Sequence, residues 1–310
     1  MTEICYFNII PDEILKYIIS LTENKVFDLC LISKYFNNHS KIIRITNNFR
    51  YPKLTNKIIE KLINIDSLNL YNNNIIKEEG IKRLTNLTYL DLQFNKRISN
   101  EFMKKLINLT SLDLFANYII TNEGIENLVN LNFLNISNNN RITNKGIQRL
   151  TNLTAINLVG NNLITDKGIE VLINLSGINL SFNDKITDKG IKNLVHLNAL
   201  NLGGDNKITD QGIKGLKNLT FLNLHGNKII TDEGIKELIN LNSLNLEFNN
   251  MVTDGGIKNL TNLTCLNLRN SDNITDEGIK QLTNLTTLYL KYNNSITIIG
   301  TKGLTHLKQF

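Results

Sequence analysis

The stretch LTFLNLHGN, residues 219–227, sets the fold of this chain. Leu222 and Leu224 stand two residues apart, a spacing that places both side chains on the same face of a short strand. Leu219 comes three residues before this pair, and Asn227 comes three residues after it. The pattern L-x-x-L-x-L-x-x-N therefore predicts one short strand with a leucine before it and a polar turn behind it.

This pattern recurs every 22 residues without slippage. One leucine column consists of Leu84, Leu106, Leu128, Leu150, Leu172, Leu194, Leu216, Leu238, Leu260, Leu282 and Leu304. Asparagine ends the pattern in nine of eleven units, at Asn73, Asn95, Asn117, Asn139, Asn161, Asn183, Asn227, Asn249 and Asn293, with Asp205 and Ser271 in the other two. A fixed period of this kind is typical of solenoids, in which each unit stacks on the next.

A second element is predicted between one asparagine and the next strand. Ile191, Leu194 and Leu197 follow one another at spacings of three residues, so they share one face of a short helix over residues 190–197. A strand and a helix in 22 residues force the chain to coil, and the strands stack into a parallel sheet at about 4.8 Å per unit. One unit alone cannot bury enough apolar surface to fold, so stability belongs to the array.

The segment KITDKGIKNL, residues 185–194, resembles the start of a metal or phosphate loop, but near-copies of it follow in later units. Repetition favours a structural interpretation. We predict that Thr187 is a helix N-cap, that Asp188 complements the helix dipole, and that Gly190 permits a close approach. Each aspartate would also pair with the lysine four residues later, which partly neutralises a lysine stripe on the convex side: Lys192, Lys214, Lys236, Lys258, Lys280 and Lys302.

The turn at Asp205 is predicted to be the weakest of the array. A carboxylate only accepts hydrogen bonds, whereas the asparagine amide of other units also donates them. Gly203 and Gly204 precede it and raise the entropy cost of ordering the turn. Because each unit of a solenoid contacts only its neighbours, the rest of the array does not compensate for the lower local stability of such a turn.

Together, these motifs resemble the leucine-rich repeat family over residues 54–310. The resemblance implies an α/β solenoid shaped as a horseshoe, with a parallel sheet on the concave face and short helices on the convex face. We assign residues 51–310 to this solenoid, with about 11–12 repeats. The I-T-D-x-G-I segment is similar to the cysteine-containing and related subclasses that often accompany F-box domains, with Asn here in place of Cys.

Residues 1–50 lack the leucine period and are predicted to form a small all-α domain. Pro11 suits the first turn of a helix, and a second helix is predicted over residues 25–36. The segments IPDEIL (10–15) and LISKYF (31–36) resemble an F-box over roughly residues 8–50. This resemblance implies docking of a Skp-type adaptor, and through it a cullin complex, by Ile10, Pro11, Asp12, Glu13, Ile14, Leu15, Ile18, Ile32, Tyr35 and Phe36.

The composition of the chain indicates its cellular compartment and the classes of partner that it binds. Three widely spaced cysteines form no disulfide framework, which favours an intracellular reducing compartment, the cytoplasm or the nucleus. No apolar run approaches the roughly 20 residues of a membrane span, and no basic leader precedes an apolar stretch, so we expect no membrane association. The net charge of +6 is spread thinly, whereas nucleic-acid binding usually needs a concentrated patch. We therefore expect no nucleic-acid partner.

Catalysis, cofactors and metal ions find no support in the sequence. His196 and His306 occupy a repeat position that other units fill with asparagine, so they are predicted to be structural. His39 and His225 have no visible cysteine, serine or carboxylate arrangement, and no glycine-rich phosphate loop opens a helix after a strand. We expect a protein that is not an enzyme.

The concave face is the predicted surface for a protein target. The middle strand position is nearly uniform, from Asn69 to Asn267, and its amides are expected to hydrogen-bond along the sheet. The neighbouring positions vary and are rich in aromatic and charged residues, which anchor protein interfaces. We predict that the target contacts Tyr71, Tyr89, Phe94, Phe115, Phe133, Phe182, Phe221, His225, Glu247, Phe248, Arg269, Tyr289, Lys291 and Tyr292.

Two functions follow from this organisation. The first is a non-catalytic substrate-recognition subunit of an SCF-type cullin–RING ubiquitin ligase, in which the F-box docks the adaptor and the horseshoe binds the target. The alternative is a plain interaction scaffold whose N-terminal helices only cap the solenoid. A binder of nucleic acid or acidic ligands through the lysine stripe is a third and weaker possibility.

Overall fold

The computed structural model of the chain describes residues 42–44, 56–60, 65–204 and 206–308. Across these residues, short strands and one-turn helices alternate without exception. The F-box-like residues from Ile10 to Phe36 lie outside the described residues, as does Asp205.

Twelve strands of three residues each form one parallel sheet in the order of the chain. Their bounds are β1 Ile42–Arg44, β2 Ser67–Asn69, β3 Tyr89–Asp91, β4 Ser111–Asp113, β5 Phe133–Asn135, β6 Ala155–Asn157, β7 Gly177–Asn179, β8 Ala199–Asn201, β9 Phe221–Asn223, β10 Ser243–Asn245, β11 Cys265–Asn267 and β12 Thr287–Tyr289. Equivalent residues of successive units pair with each other, for example Leu222 with Leu244. The predicted solenoid and its parallel sheet are confirmed.

The helices on the opposite side are shorter than predicted. They are α1 Asn56–Ile59, α2 Glu78–Ile81, α3 Asn100–Met103, α4 Asn122–Ile125, α5 Asn144–Ile147, α6 Asp166–Ile169, α7 Asp188–Ile191, α8 Asp210–Ile213, α9 Asp232–Ile235, α10 Asp254–Ile257, α11 Asp276–Ile279 and α12 Ile298–Thr301. In place of a helix over residues 190–197, the chain makes tight turns in which Leu194 N donates to Ile191 O and Leu197 N to Leu194 O. These turns bring successive leucines inward within few residues. Within the described ranges, no helix has the length and hydropathy needed to cross a membrane.

The leucine columns form one continuous core from Ile59 to Leu304. Leu219, Leu222 and Leu224, which define the repeat pattern, are completely buried. Each unit therefore contributes a layer to a core that runs along the whole array, and each layer is closed by the layers on either side.

Buried asparagines join each unit to the one before it. Asn161 is completely buried, and its Nδ2 donates to Ile136 O (3.2 Å) and Asn139 O (3.0 Å) in the preceding unit. Its Oδ1 accepts from the backbone N–H groups of Leu163 and Ile164, both at 3.0 Å. One side-chain amide thus pairs with carbonyl groups of the preceding unit and with backbone N–H groups in the turn that follows it.

Of the two units without this asparagine, one restores the bond to the preceding unit and the other bonds only within itself. The Ser271 hydroxyl donates to Leu246 O and accepts from Asn249 N at 3.3 Å. Beside Asp205, the amide of Asn206 donates to Leu202 O at 2.8 Å and accepts from Ile208 N at 3.0 Å. The expected weakness of this turn stays a prediction, although Asn206 supplies bonds that the sequence pattern does not reveal.

Aspartates in the helices bind the next unit, and the predicted aspartate–lysine pairs are wrong. Asp188 Oδ1 accepts from Thr209 N at 2.7 Å, and Oδ2 accepts from Thr209 Oγ1 at 2.6 Å. No ion pair joins Asp188 to Lys192, or its equivalents, in the described units. The carboxylate is turned towards the next unit and away from the lysine, because two strong acceptor contacts hold it there.

The predicted threonine caps form in only part of the array. From α7 to α12 the threonine Oγ1 accepts from a backbone N–H, as Thr209 does from Gln211 N at 3.3 Å. At α4, α5 and α6 the threonine makes no cap bond. There its Oγ1 accepts from an asparagine that replaces the aspartate, as in Asn100 Nδ2 to Thr121 Oγ1 at 2.8 Å.

The close approach predicted for the helix glycines is confirmed. A Cβ atom at Gly234 would lie 2.5 Å from Asp210 Oδ1, a separation that real Cβ atoms do not tolerate. The neighbour that requires glycine is therefore the carboxylate of the preceding unit. Glycine, threonine and aspartate of the I-T-D-x-G motif act together across the boundary between two units.

We expect Asn161→Ala to destabilise the protein by about 3 kcal/mol, because it leaves buried carbonyl and N–H groups without partners. Urea unfolding followed by circular dichroism measures the loss. Asn162→Ala is the matched control, since Asn162 is the exposed next residue. Equal unfolding midpoints for the two variants would contradict the structural role of the buried amide.

We expect Gly234→Ala to destabilise the protein by about 1–3 kcal/mol through the clash with Asp210, although alanine favours a helix by about 1 kcal/mol. Gly215→Ala should be neutral or stabilising, because no heavy atom lies within 4 Å of its Cβ position. A double-mutant cycle with Asp210→Ala tests the cause. The cost of Gly234→Ala should shrink in that background, and an undiminished cost would rule out the carboxylate as the neighbour responsible.

Candidate functional site

The concave face consists of the strand positions on either side of the buried central leucine and the residues that follow each strand. Most asparagine side chains at the middle strand position accept a hydrogen bond from the backbone just beyond their own strand. Asn223 Oδ1, for example, accepts from His225 N at 2.9 Å. Donation along the sheet is seen from Asn135 to Asp113 (3.0 Å) and from Asn267 to Glu247 (3.1 Å). Hydrogen bonds between successive units were expected from these amides along the sheet. Most of them are made instead by the buried asparagines behind the strands.

Most of the aromatic residues predicted for this face are exposed. Phe133 and Phe221 occupy the first position of β5 and β9, and their rings are partly open to solvent. Tyr71, Tyr89, Phe94, Phe182, Phe248 and Tyr292 are also exposed, whereas Phe115 and Tyr289 are half-buried. The structure therefore brings the predicted aromatics to one side of the molecule.

Four of these aromatic residues have a left-handed backbone. Phe94, Phe182 and Phe248 have φ of 54°, and Tyr292 has φ of 61°. Glycine or asparagine fills the same turn position in most other units. A bulky side chain there costs roughly 1–2 kcal/mol, which an aromatic contact of about 0.5–1.5 kcal/mol offsets only in part. Residues held in such conformations cluster at binding sites.

An N-terminal aromatic cluster consists of Tyr71, Phe94, Phe115 and Tyr118. The rings of Tyr71 and Phe94 meet edge to face at 5.8 Å, and those of Phe94 and Phe115 at 5.2 Å. Tyr118 and Leu163 extend the cluster around an open depression of about 460 Å³. Sequence reasoning missed Tyr118 and Leu163, because both follow the turn asparagine and lie outside the strand pattern.

Two carboxylates lie on adjacent strands beside this cluster. The register pairs Asp91 with Asp113. Burial raises the pKa of Asp91 to about 6; the charge of Asp113 adds to the rise, and hydrogen bonds from Gln93 and Asn69 limit it. Burial also raises the pKa of Asp113. The raised pKa values mean that the folded structure disfavours negative charge on these two carboxylates.

A C-terminal aromatic–basic cluster consists of His225, Phe248, Arg269, Tyr289, Lys291 and Tyr292. His225 and Phe248 meet edge to face at 5.6 Å. The Arg269 guanidinium lies 4.7 Å from the Tyr289 ring centre, and Lys291 Nζ lies 4.9 Å from that of Tyr292. Glu247 stands between the histidine and the arginine, with Oε2 3.7 Å from His225 Nδ1.

A polar groove of about 760 Å³ runs along the amino-terminal ends of the last strands and is lined by Asn, Thr and His306. Its side chains are engaged in the array: Asn240 Nδ2 donates to Lys217 O at 2.8 Å, and Thr264 Oγ1 to Asn242 O at 3.1 Å. His306 Nδ1 lies 3.1 Å from Thr283 O, where other units have an asparagine amide. The structural role predicted for His306 is confirmed.

The convex lysines are partly neutralised, but by glutamates in place of the predicted aspartates. Lys236 lies 2.6 Å from Glu233, and Lys280 pairs with Glu277. Both pairs are exposed and three residues apart, so each contributes little to stability. In the part of the chain that the structure covers, no cluster of His, Cys, Asp and Glu side chains could hold a metal ion.

Eight segments of the chain match a family model described as Leucine Rich repeat: residues 83–106, 105–129, 128–151, 149–172, 174–195, 215–239, 237–260 and 259–282. An internalin (inlF) from Listeria monocytogenes has a similar structure, with a TM-score of 0.68 at 26% identity over 93% of each chain. A chain of the yeast complex of Rad7 and Elc1 has a TM-score of 0.52 at 19% identity, covering 100% of this chain and 98% of that one. No curated protein sequence matches significantly.

We expect Asp91→Asn to stabilise the protein above pH 6 and to lose this advantage as the pH falls towards 4. The raised pKa means that the folded state holds the proton more tightly than the unfolded state, so wild-type stability declines as pH rises from about 4 to about 6. Asparagine carries no proton to lose. Melting temperatures from pH 4 to pH 8 measure the difference, with exposed Asp184→Asn as control. A gain that does not vary with pH would show that desolvation of Asp91 is not its cause.

Proposed function

The chain belongs to the leucine-rich repeat family, a family of protein-interaction scaffolds, and from this premise we propose that it is a substrate-recognition subunit of an SCF-type cullin–RING ubiquitin ligase. In this role the F-box-like segment docks a Skp-type adaptor and the concave face holds the protein to be ubiquitylated. The chain itself forms and breaks no covalent bond.

The observation that carries target recognition is the set of aromatic residues with a left-handed backbone. Phe182 and Phe248 have more than half of their surface exposed, at 61% and 52%, and occupy a turn position that favours glycine or asparagine. Exposed rings at a conformational cost are difficult to explain by folding alone. Rigid aromatic side chains are the anchors that protein interfaces use most.

Adaptor docking is supported by the sequence of the N-terminal segment. Pro11 with two acidic residues after it, and the apolar-Ser-Lys-aromatic pattern that ends at Phe36, resemble an F-box. The yeast complex of Rad7 and Elc1 offers a parallel, since a chain of the same fold occurs there in an assembly with a second protein. In this chain the equivalent partner is proposed to be the Skp-type adaptor.

One feature favours the alternative, a scaffold whose N-terminal segment caps the solenoid. Strand β1, Ile42–Arg44, falls within residues 1–50 and pairs in parallel with β2. The segment that precedes the repeats thus adds a strand to their sheet and covers its edge, as a cap does. Capping and adaptor docking use different parts of the segment and are compatible with each other.

The double substitution Pro11→Ala with Ile14→Asp tests adaptor docking. In the full chain it should abolish co-purification of the adaptor and cullin, because it replaces the proline predicted to start the leader helix and puts a charge into the predicted apolar stripe of that helix. Circular dichroism should stay unchanged. As a control, Phe182→Ala with Phe248→Ala should keep adaptor binding.

Retention of adaptor and cullin by the leader variant would refute the F-box assignment. Loss of the circular dichroism signal across the whole chain would identify the N-terminal segment as a cap on which the repeats depend, in favour of the scaffold alternative.

A further inference from the structure

Two unpaired cations lie side by side at the C-terminal end of the concave face. Arg269 and Lys291 each stand two residues beyond their strands, β11 and β12, so they lie on neighbouring rungs about 4.8 Å apart. Neither side chain forms an ion pair or donates a hydrogen bond within the described residues. On the convex side, Lys217, Lys236 and Lys280 are paired with glutamates, whereas Lys192, Lys214, Lys258 and Lys302 also form no ion pair within the described residues. The contacts of Arg269 and Lys291 with aromatic rings distinguish these two cations from the convex lysines.

Tyrosine rings hold both cations in position. The Arg269 guanidinium lies over Tyr289 and the Lys291 ammonium over Tyr292, each less than 5 Å from the ring centre. The Nε of Arg269 is buried and has no acceptor among the residues that the structure describes. A buried donor without a partner is disfavoured by about 1–3 kcal/mol, and such groups are few in folded proteins. The arrangement is that of a pre-positioned site for an anionic group.

Glu247, in the unit before Arg269, is engaged by two other residues. Its Oε2 accepts from Asn267 Nδ2 at 3.1 Å and lies 3.7 Å from His225 Nδ1. It therefore forms no ion pair with Arg269. It also places a negative charge between His225 and Arg269, which limits how far an anionic partner extends along the face beyond the two cations.

Exposed rings surround the two cations. Tyr292 and Phe248 have 65% and 52% of their surface exposed. A partner that reaches Arg269 and Lys291 therefore also meets apolar surface on both sides of them. An acidic residue with apolar neighbours matches this combination of charge and ring surface.

We infer that the C-terminal aromatic–basic cluster binds an acidic segment of the target protein, with an Asp or Glu carboxylate between Arg269 and Lys291 and an apolar side chain against Phe248 or Tyr292. The guanidinium offers parallel N–H donors to a carboxylate, and the ammonium adds a compact charge beside it. This inference rests on the proposed function and names the class of target that the concave face accepts.

A nucleic acid fits the cluster less well. Backbone binding of nucleic acids needs a row of cations, because each neutralised phosphate contributes a share of the affinity. Here two cations are followed by Glu247, which repels a continuous polyanion. A single carboxylate meets both cations and avoids the glutamate.

Fluorescence anisotropy with the full chain tests the inference. The probes are a short labelled peptide of alternating Glu and Leu, the same peptide with Gln or with Lys in place of Glu, and a labelled single-stranded DNA. The Glu peptide should bind most tightly and weaken with added salt. Arg269→Gln with Lys291→Gln should weaken its binding about tenfold.

The matched control is Lys258→Gln with Lys280→Gln, which removes the same charge from the exposed convex side of neighbouring units and should leave binding unchanged. The single variant Lys291→Gln changes only an exposed side chain, so it gives a readout even if the Arg269 variant unfolds; it should weaken binding about threefold. Equal affinity for the Glu and Gln peptides, tighter binding of DNA, or an equal loss in the control would overturn the inference.

Adaptor co-purification, measured on the same variants, separates the two proposals. The Arg269 and Lys291 variants should retain the adaptor. Selective binding of the Glu peptide by a chain that captures no adaptor would sustain the acidic-segment site and reject the ligase role. An adaptor-bound chain with no preference for the Glu peptide would do the reverse.

Discussion

The structure depends on hydrogen bonding by asparagine amides that are removed from water. In a 22-residue unit the chain must reverse behind every strand, and the reversal leaves backbone groups inside the array. Asn161 satisfies them in both directions, with its N–H groups on the preceding unit and its carbonyl on the following turn. Because buried polar groups without partners are costly, this single residue type fixes both the turn and the stacking of the units.

On the convex side, a charged side chain likewise joins each unit to its neighbour through hydrogen bonds. Asp188 accepts from the backbone and hydroxyl of Thr209, while Gly212 leaves space for that carboxylate, since a Cβ there would lie 2.4 Å from Asp188 Oδ1. Where asparagine replaces the aspartate, as in Asn122, the amide donates to the next threonine instead. The motif is therefore a joint between units and is incomplete within any one of them. This explains why its residues resemble a binding loop and yet recur along the array.

Conformational cost separates the recognition surface from the scaffold. The left-handed turn position of the repeat suits glycine or asparagine best, and these two residue types fill six of its eleven occurrences. Aromatic rings at Phe94, Phe182, Phe248 and Tyr292 run against this preference and remain exposed. Charge differs along the same face, with buried Asp91 and half-buried Asp113 near one end and the unpaired Arg269 and Lys291 near the other. The face thus differs in charge from one end to the other, which would give the proposed target a defined orientation on it.

The sequence by itself determined the fold class, the repeat length, the buried leucine columns and the side of the sheet on which the aromatic residues lie. These features follow from periodicity, because a period of two places side chains on one face of a strand and a strict longer period forces stacking. Only the tertiary structure decided the partners of Asp188, the hydrogen bonds that Asn206 makes within its own turn and the unmet Nε of Arg269. Each of these depends on which groups of neighbouring units meet in space. Spacing along one unit does not encode those distances, so the aspartate–lysine pairs inferred from spacing were wrong while the leucine pattern was right.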